Sequence, residues 1–311
     1  MEFYLKDIKD KVSDLDKNIE LELTNHCNAR CSLCPREELS RPRGVMSLST
    51  LEMLALRCEQ SRIKKISIGG MGEPLLHPEF EKCLKILSSI RDIELSLTTN
   101  GSLFGNQFQE MIVKASFSQI SISYHYFHPP SYERYMGIKQ EDCISNIREF
   151  SKKYQEQRHK ISIAIVLNKT NQKEIRDICR FWSDEGINRF IVLIAHNRAG
   201  LLNDHRILDE AFYADHNIKI VSEDRIICRK PSVVLKFVDW QGKVHICCND
   251  FKGMAVLGDI INEDLLSMEM KRETVYKSIQ SSLCRNCNMP STLLKAKFVT
   301  YKTKLIVGNK I

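Results

Sequence analysis

Short apolar runs alternate along most of this chain with longer stretches of helical periodicity, and this alternation constrains the fold more than any other feature. The predicted strands cover residues 19–24, 65–69, 93–98, 119–124, 161–167 and 189–195, and the predicted helices cover 49–60, 78–90, 104–114, 131–157 and 171–185. Strands that alternate with helices pair in parallel through right-handed crossovers. We therefore predict an α/β fold with a partial (β/α)6 TIM-like barrel, two units short of a closed barrel.

Local signals agree with these helices. Ser49 is predicted to cap the helix over 49–60, and Gly186 to end the helix over 171–185. After residue 196 the periodicity changes to a polar connector, followed by a hairpin over 233–248 and a helix over 263–280. We predict three parts: a barrel over 1–210, a small cluster-binding domain of hairpin and helix over 211–290, and a basic tail over 291–311.

Composition restricts the class of protein. The 311 residues can bury a sizeable core, and no apolar run is long enough for a signal peptide or a membrane span. Twelve cysteines without a secretory signal favour a reducing cytoplasm, where thiols bind metals or fill the core. The net charge of +7 is spread along the chain without interleaved stacking aromatics, so it predicts a solvated face rather than a nucleic-acid surface.

Three cysteines follow the first predicted strand at the spacing C-x3-C-x2-C: Cys27, Cys31 and Cys34. Three thiolates on one loop can hold three irons of a 4Fe-4S cube and leave the fourth iron open. The alternatives are zinc or unrelated cysteines. A structural zinc site closes with four ligands, however, and this loop has no fourth cysteine nearby.

Polar or glycine-rich turns follow the next predicted strands. These turns are Gly69 to Pro74, Thr98 to Gly101, and Ser121 to His125. Ligands of parallel sheets gather at the carboxyl ends of the strands. We therefore expect these turns and the cysteine loop to converge on one face.

The cysteine triplet, the Gly-Met-Gly-Glu-Pro turn and the Thr-Thr-Asn-Gly turn together resemble those of radical SAM enzymes over residues 19–200. The resemblance implies that S-adenosylmethionine (SAM) binds the open iron and yields a 5'-deoxyadenosyl radical, which abstracts a hydrogen atom. It implies a flavodoxin or ferredoxin as electron donor. The residues that we assign to the cofactor are Gly70, Met71, Gly72, Glu73, Asn100, Ser123, Arg134 and His196. His125, His128 and His196 lie near the predicted face, where each is either a base or a structural or cofactor-supporting residue.

The chemistry of these side chains suits those roles. Glycines at 70 and 72 let the backbone approach the methionine ammonium, for which Glu73 supplies an acceptor. Asn100 and Ser123 can hydrogen-bond the ribose or carboxylate. Two departures are Ser123-Tyr124-His125, where the family often has Ser-Leu-Asp, and Met136, where relatives commonly carry arginine. Arg134 is assigned to the cofactor carboxylate instead, against the alternative of a solvated helix arginine.

A second cysteine pattern, C-x13-G-x4-C with a distant C-x2-C, resembles the twitch form of the SPASM domain. By that resemblance Cys228, Cys247, Cys284 and Cys287 hold one auxiliary 4Fe-4S cluster, with zinc on the same thiolates as the alternative. Four thiolates saturate a cube, which suits electron transfer.

Cys248 remains outside this set. Adjacent strand residues point to opposite faces, so Cys247 and Cys248 are not expected to ligate one metal. Cys248 is either a buried thiol or a hydrogen-atom donor to a substrate radical. Four further cysteines fall within predicted helices and are interpreted as core residues: Cys58, Cys83, Cys143 and Cys179.

The leading functional hypothesis is dehydrogenation of a small polar metabolite, with the auxiliary cluster as electron acceptor. The alternatives are a redox-neutral epimerisation that uses Cys248, and radical modification of a peptide delivered by a partner. A further alternative is an electron carrier or a metal-stabilised binding module. Neither would use the glycine turns, which suit cofactor binding. The sequence names neither the substrate nor the oligomeric state.

Overall fold

The computed structural model describes residues 18–202 and 236–279, together with positions 283, 285 and 287. The strands are β1 (Asn18–Leu21), β2 (Lys65–Ile68), β3 (Glu94–Thr99), β4 (Gln119–Ser123), β5 (Ile161–Leu167), β6 (Phe190–Ile194), β7 (Lys236–Val238), β8 (Lys243–His245) and β9 (Val256–Asp259). The α-helices are α1 (Leu48–Gln60), α2 (Phe80–Ser88), α3 (Asn106–Lys114), α4 (Pro129–Met136), α5 (Gln140–Lys153), α6 (Ile175–Asp184), α7 (Leu265–Met270) and α8 (Arg272–Ile279).

The first compact unit contains residues 18–26, 36–96 and 236–279. In it β2, β1, β7, β8 and β9 lie side by side in that order. The β2–β1 and β1–β7 pairs are parallel, whereas β7, β8 and β9 pair antiparallel. The hairpin predicted over 233–248 is confirmed for its described part, since β7 and β8 flank a turn at residues 239–242.

The second compact unit contains the cysteine loop, residues 27–35, and the chain from Leu97 to residue 202. Its strands β4, β5 and β6 are parallel. Nearly all of β5 is apolar and buried, as in parallel sheets that helices cover on both faces. Helix α6 buries Ile175, Ile178, Cys179 and Trp182 at the spacing of a single helical face.

The alternation of β1–β6 with helices confirms the predicted mostly parallel α/β fold. Gly186 follows α6 in the left-handed region with φ 82°, and its amide donates to Ser183 O, which confirms the predicted helix end. No described helix is both long and apolar enough to cross a membrane.

Three local predictions are wrong. The cap of α1 is Ser47, whose side chain accepts from Thr50 N, and Ser49 lies inside the helix. The helix predicted over 131–157 is two helices, because Gly137 follows α4 with φ 70° and ends it. The helix predicted over 263–280 is likewise divided, at Lys271, into α7 and α8.

Candidate functional site

The cysteine loop presents three partly exposed thiols in the second unit. Cys27, Cys31 and Cys34 all have intermediate exposure, while Leu33 between them is buried. The four cysteines interpreted as core residues are all buried, as predicted: Cys58, Cys83, Cys143 and Cys179. The three cysteines predicted to bind the cluster are therefore accessible, and the four predicted to fill the core are not.

The carboxyl end of helix α4 holds this loop. The amide of Arg30 donates to Met136 O at 2.9 Å, and the amide of Ser32 donates to Tyr135 O at 2.8 Å. Carbonyls at the end of a helix have no partner within it, so they are ready acceptors for a neighbouring loop. Sequence reasoning missed this support, although Gly137 was a visible signal that the helix ends there.

Met136, which departs from the resemblance, lies against the loop. Its side chain is wholly buried and its Sδ lies 3.9 Å from Cys31 Sγ. A thioether carries no charge and is polarizable, so it can pack beside a thiolate without a formal partner. We interpret Met136 as an apolar support of Cys31.

Asn100 is buried and its side chain contacts the cysteine loop. Its Nδ2 donates to Asn28 Oδ1 at 2.8 Å, and its Oδ1 accepts from Ser102 N at 2.9 Å. Asn28 follows Cys27 directly. The amide predicted to bind the cofactor therefore also fixes the loop that carries the first cysteine.

The glycine turn, Gly69 to Pro74, belongs to the first unit. An added Cβ on Gly72 would lie 2.2 Å from Thr24 O and 2.6 Å from His26 O, so only glycine fits. The amide of Glu73 donates to His26 O at 2.8 Å, and its buried carboxylate accepts from Leu75 N at 3.3 Å. The turn is thus fixed to the chain just before the cysteine loop.

A buried network of charges lies beside this turn. Glu22 Oε2 accepts from Met71 N at 3.1 Å and from Arg41 Nη2 at 2.9 Å. Arg41 Nε lies 3.9 Å from Asp239 Oδ2, and that same oxygen lies 2.9 Å from His245 Nε2. The other ring nitrogen of His245 lies 3.1 Å from Asp250 Oδ2. Sequence reasoning identified none of the five charged or titratable residues in this network.

Four groups of this network are stabilised in their charged forms: Arg41, Asp239, His245 and Asp250. Burial lowers the pKa of Arg41, but the hydrogen bond and charge of Glu22 outweigh it and raise that pKa above its ordinary value. Burial raises the pKa values of Asp239 and Asp250, yet hydrogen bonding from His245 leaves both lowered. The same two carboxylates raise the pKa of His245 despite its burial.

Three more of the predicted cofactor residues lie in the second unit. Ser123 ends β4 and is partly exposed. Arg134 is exposed on α4, with its guanidinium 5.5 Å from the ring centre of Tyr135. His196 is buried, and its Nδ1 accepts from Arg198 N at 3.2 Å. Their contacts with a cofactor stay predictions.

His125 and His128, which also adjoin the predicted face, differ from each other. His125 is buried, and its Nδ1 accepts from Val166 N at 3.2 Å. Burial lowers the pKa of His125 to about 4, so the ring is neutral at physiological pH. His128 is exposed at the start of α4. His125 therefore joins the carboxyl ends of β4 and β5 through its acceptor nitrogen.

The second cysteine set is described only in part. Cys228 and Cys284 lie outside the described residues, while Cys247, Cys248 and Cys287 are all partly exposed. Because β8 ends at His245, Cys247 and Cys248 lie in a turn, and the strand argument that separated their side chains is wrong. The amide of Asn249 donates to Cys247 Sγ at 3.4 Å. Donation from a backbone amide suits a thiolate ligand.

The donor set of the cysteine loop fits an iron-sulfur cube. Within the described ranges, no three His, Cys, Asp or Glu side chains converge around a point where one metal ion could sit. A cube places each thiolate on a different iron, so it requires three accessible thiols on one loop. Cys27, Cys31 and Cys34 meet that requirement.

Comparison with known proteins agrees with this chemistry. The family model described as the Radical SAM superfamily matches residues 21–181, just over half of the chain. A GTP 3',8-cyclase of Listeria welshimeri is 30% identical over 200 residues, or 62% of this chain and 59% of that protein. A GTP 3',8-cyclase of Aquifex aeolicus is 25% identical over 201 residues, or 63% of this chain and 61% of that protein. The chain thus spans about 60% of the length of these relatives.

Solved structures extend the likeness over most of the fold. Streptococcus suis SuiB bound to its precursor peptide SuiA has a TM-score of 0.68 and 15% identity, covering 92% of this chain and 73% of SuiB. BtrN in complex with AdoMet and 2-DOIA has a TM-score of 0.55 and 19% identity, covering 88% and 92%. Both are radical SAM enzymes of the SPASM and twitch type. With its cysteine loop and glycine turn, this chain belongs to the radical SAM superfamily.

Proposed function

We propose that the chain dehydrogenates a small polar metabolite, with an auxiliary 4Fe-4S cluster as electron acceptor. When bound, SAM and the first cluster supply a 5'-deoxyadenosyl radical that abstracts a hydrogen atom. Cys27, Cys31 and Cys34 would hold three irons of that cluster. The Gly70–Glu73 backbone and the Glu73 carboxylate would accept the methionine ammonium of SAM, and Ser123 would hydrogen-bond its ribose or carboxylate.

The observation that carries dehydrogenation is the second cysteine pattern. Four thiolates from Cys228, Cys247, Cys284 and Cys287 would saturate a cube, leaving no iron for substrate and favouring an electron-transfer role. A dehydrogenation needs such an acceptor, because the substrate radical must lose one electron after the hydrogen atom leaves. The fold likeness to BtrN, which was solved in complex with AdoMet and 2-DOIA, is consistent with a fold that binds AdoMet.

Anaerobic reconstitution tests the proposal at its first step. About eight irons per chain and reductive formation of 5'-deoxyadenosine are expected, with dithionite or reduced flavodoxin as the donor. Replacing Cys34 by Ala should abolish 5'-deoxyadenosine formation, whereas replacing the buried core cysteine Cys58 by Ala should not. Zinc in place of iron, or an intact reduced cluster that fails to cleave SAM, would refute the enzyme assignment.

The type of reaction requires a second measurement. Small polyols and amino alcohols deuterated at carbon should transfer deuterium to 5'-deoxyadenosine and yield a carbonyl product. The two matched GTP 3',8-cyclases favour a different reaction, a radical rearrangement of GTP, so GTP should be tested in parallel. Formation of a cyclised GTP product, with no carbonyl product from any alcohol tested, would refute dehydrogenation and favour GTP cyclisation as the function.

Epimerisation and peptide modification each have a test of their own. In an epimerase, Cys248→Ala would still form 5'-deoxyadenosine but lose product, whereas a dehydrogenase should tolerate the substitution. Peptide modification is favoured by the structure of SuiB, which was solved with a precursor peptide. Mass spectrometry of peptides incubated with the reduced enzyme would detect that reaction through a change in peptide mass.

A further inference from the structure

The glycine turn is held by a carboxylate from the strand segment beside it. Glu22, directly after β1, accepts from Met71 N at 3.1 Å. Gly70 has φ 93°, and a Cβ there would lie 2.8 Å from Glu22 Cβ, so the turn and the glutamate approach each other as closely as glycine allows. Gly70 itself is exposed. The conformation of an exposed turn is thus fixed from its buried side.

Arg41 fixes this carboxylate in turn. Arg41 Nη2 lies 2.9 Å from Glu22 Oε2, and Arg41 Nη1 donates to Glu22 Oε1. The Glu22 side chain is fully buried and only 7% of the Arg41 side chain is exposed. A two-pronged contact between guanidinium and carboxylate restricts both side chains to one geometry. The acceptor for Met71 therefore has a defined position.

The hairpin holds Arg41 from its other side. Asp239 Oδ2 lies 3.9 Å from Arg41 Nε, and the guanidinium lies 5.8 Å from the ring centre of Phe237. Asp239 is itself anchored by amides of its own turn, at 2.9 Å from Gln241 N and 3.0 Å from Lys243 N. Glu22 and Arg41 thus join the glycine turn to a hairpin that is more than 160 positions away in the sequence.

Stability alone is a weak reason for a buried charged pair at this place. Strands of a covered parallel sheet normally bury apolar side chains. Replacing a buried ion pair with well-packed apolar residues is often neutral or stabilising. An apolar pair, however, cannot accept the Met71 amide. The charged pair therefore supplies a fixed acceptor for the turn, which packing alone does not provide.

We infer that Glu22 and Arg41 are positioning residues for SAM, acting through the glycine turn that they hold from behind. The inference rests on the proposed role of Gly70–Glu73 in SAM binding. If the turn already has its bound conformation before SAM arrives, binding requires no free energy to order it. Loss of this preorganisation should therefore weaken the affinity for SAM. Neither residue is assigned a contact with SAM.

The double variant Glu22→Leu/Arg41→Met tests this role. It removes the acceptor and both charges together, so it leaves neither Glu22 nor Arg41 as an unpaired buried ion. In the reconstituted protein we expect the dissociation constant for SAM to rise about tenfold, because the turn would then have to be ordered on binding. Hydrogen exchange of the Met71 amide should also become faster.

The matched control is Glu110→Leu/Lys153→Met, which removes an exposed pair with a 2.9 Å contact between helices α3 and α5. This control should leave SAM affinity and Met71 exchange unchanged. If wild-type protein binds SAM and the double variant binds it equally well, the inference is overturned while the proposed function stands. If reconstituted wild-type protein binds no SAM, the proposed function itself fails. If the double variant does not fold, Arg41→Lys, which keeps the charge but loses the fork, should show the same changes in smaller measure.

Discussion

The side-chain amide of Asn100 donates to the carboxamide oxygen of Asn28 at 2.8 Å, which ties the turn after β3 to the loop of the cluster cysteines. Ser102 completes a closed ring of hydrogen bonds. Asn28 Nδ2 donates to Ser102 Oγ at 2.9 Å, and Ser102 Oγ donates to Asn100 Oδ1 at 2.7 Å. Since Asn28 directly follows Cys27, this ring of hydrogen bonds fixes the backbone next to the first cluster cysteine.

We therefore predict that Asn100→Ala weakens the cysteine loop. The change removes a buried donor and an acceptor, and leaves Asn28 and Ser102 without these bonds, so we expect a loss of about 1–3 kcal/mol of stability. Urea unfolding would measure this loss, and iron content after reconstitution should fall with it. Asn100→Asp is the comparison variant: its carboxylate still accepts from Ser102 but no longer donates to Asn28, so we expect a smaller loss than in Asn100→Ala. Equal iron retention in Asn100→Ala and wild type would contradict the prediction.

Gly137→Ala should damage the same loop from the side of helix α4. Gly137 has φ 70°, and an added Cβ would lie 2.9 Å from Arg30 N and 2.8 Å from Arg30 Cβ. Left-handed backbone alone costs a residue other than glycine about 1–2 kcal/mol, and the clash adds to that. We expect a loss of at least about 2 kcal/mol in urea unfolding. Gly105→Ala, whose new Cβ meets nothing closer than 3.9 Å, is the control; it replaces the N-cap glycine of α3 and should cost less, up to about 1 kcal/mol.

The sequence predicted the strands of the barrel and the cysteine loop because both have local signatures. Runs such as residues 161–167 are mostly apolar, and cysteine spacing is a property of nearby residues. The support of the loop by Met136 could not be predicted in this way, because it depends on two segments about 105 positions apart. The sequence predicts one long helix through Gly137, because helical periodicity continues on both sides of it.

The buried network around Glu22 was missed for a related reason. In the sequence Glu22 reads as the polar position of an alternating strand, and Arg41 as one of several basic residues in a polar loop. Only the pairing of β7 with β1 brings Asp239 within reach of Arg41. A glutamate between two leucines of the segment 21–25, which is buried, was an available signal, because ions are buried only when they are paired.

The buried core cysteines should remain unreactive in the folded protein. Burial raises the pKa of Cys83 to about 12, and that of Cys179 to about 12. At pH 8 the thiolate fraction of each is on the order of one in ten thousand, and the thiolate is the reactive species. Iodoacetamide should therefore label Cys27, Cys31 and Cys34 in iron-free protein while peptide mapping finds Cys83 and Cys179 unmodified. Labelling of Cys179 at the same rate as Cys34 would refute this prediction.

Removal of Cys247 together with Cys287 should separate the two proposed clusters. Cys247→Ala/Cys287→Ala leaves only two of the four auxiliary thiolates, one fewer than the three that hold the first cube, so we expect the iron content to fall from about eight to about four per chain. The first cluster should still support reductive formation of 5'-deoxyadenosine from SAM, while carbonyl product is lost. Cys83→Ala, which removes a thiol buried in helix α2, is the control for iron content. Unchanged iron in the double variant would contradict the assignment of Cys247 and Cys287 as ligands.

His125 should make the protein sensitive to acid. Burial lowers its pKa from 6.5 to about 4, so the unfolded chain binds a proton at a higher pH than the folded protein does. The stability that neutral His125 provides is complete above pH 6.5 and is lost as the pH falls towards 4, by up to about 3 kcal/mol. His125→Asn keeps an acceptor for Val166 N but does not titrate in this range. As the pH falls from 6.5 to 4, the unfolding free energy of wild type should therefore decrease more than that of His125→Asn. Parallel pH profiles of the two proteins would show that His125 is not held neutral by its burial.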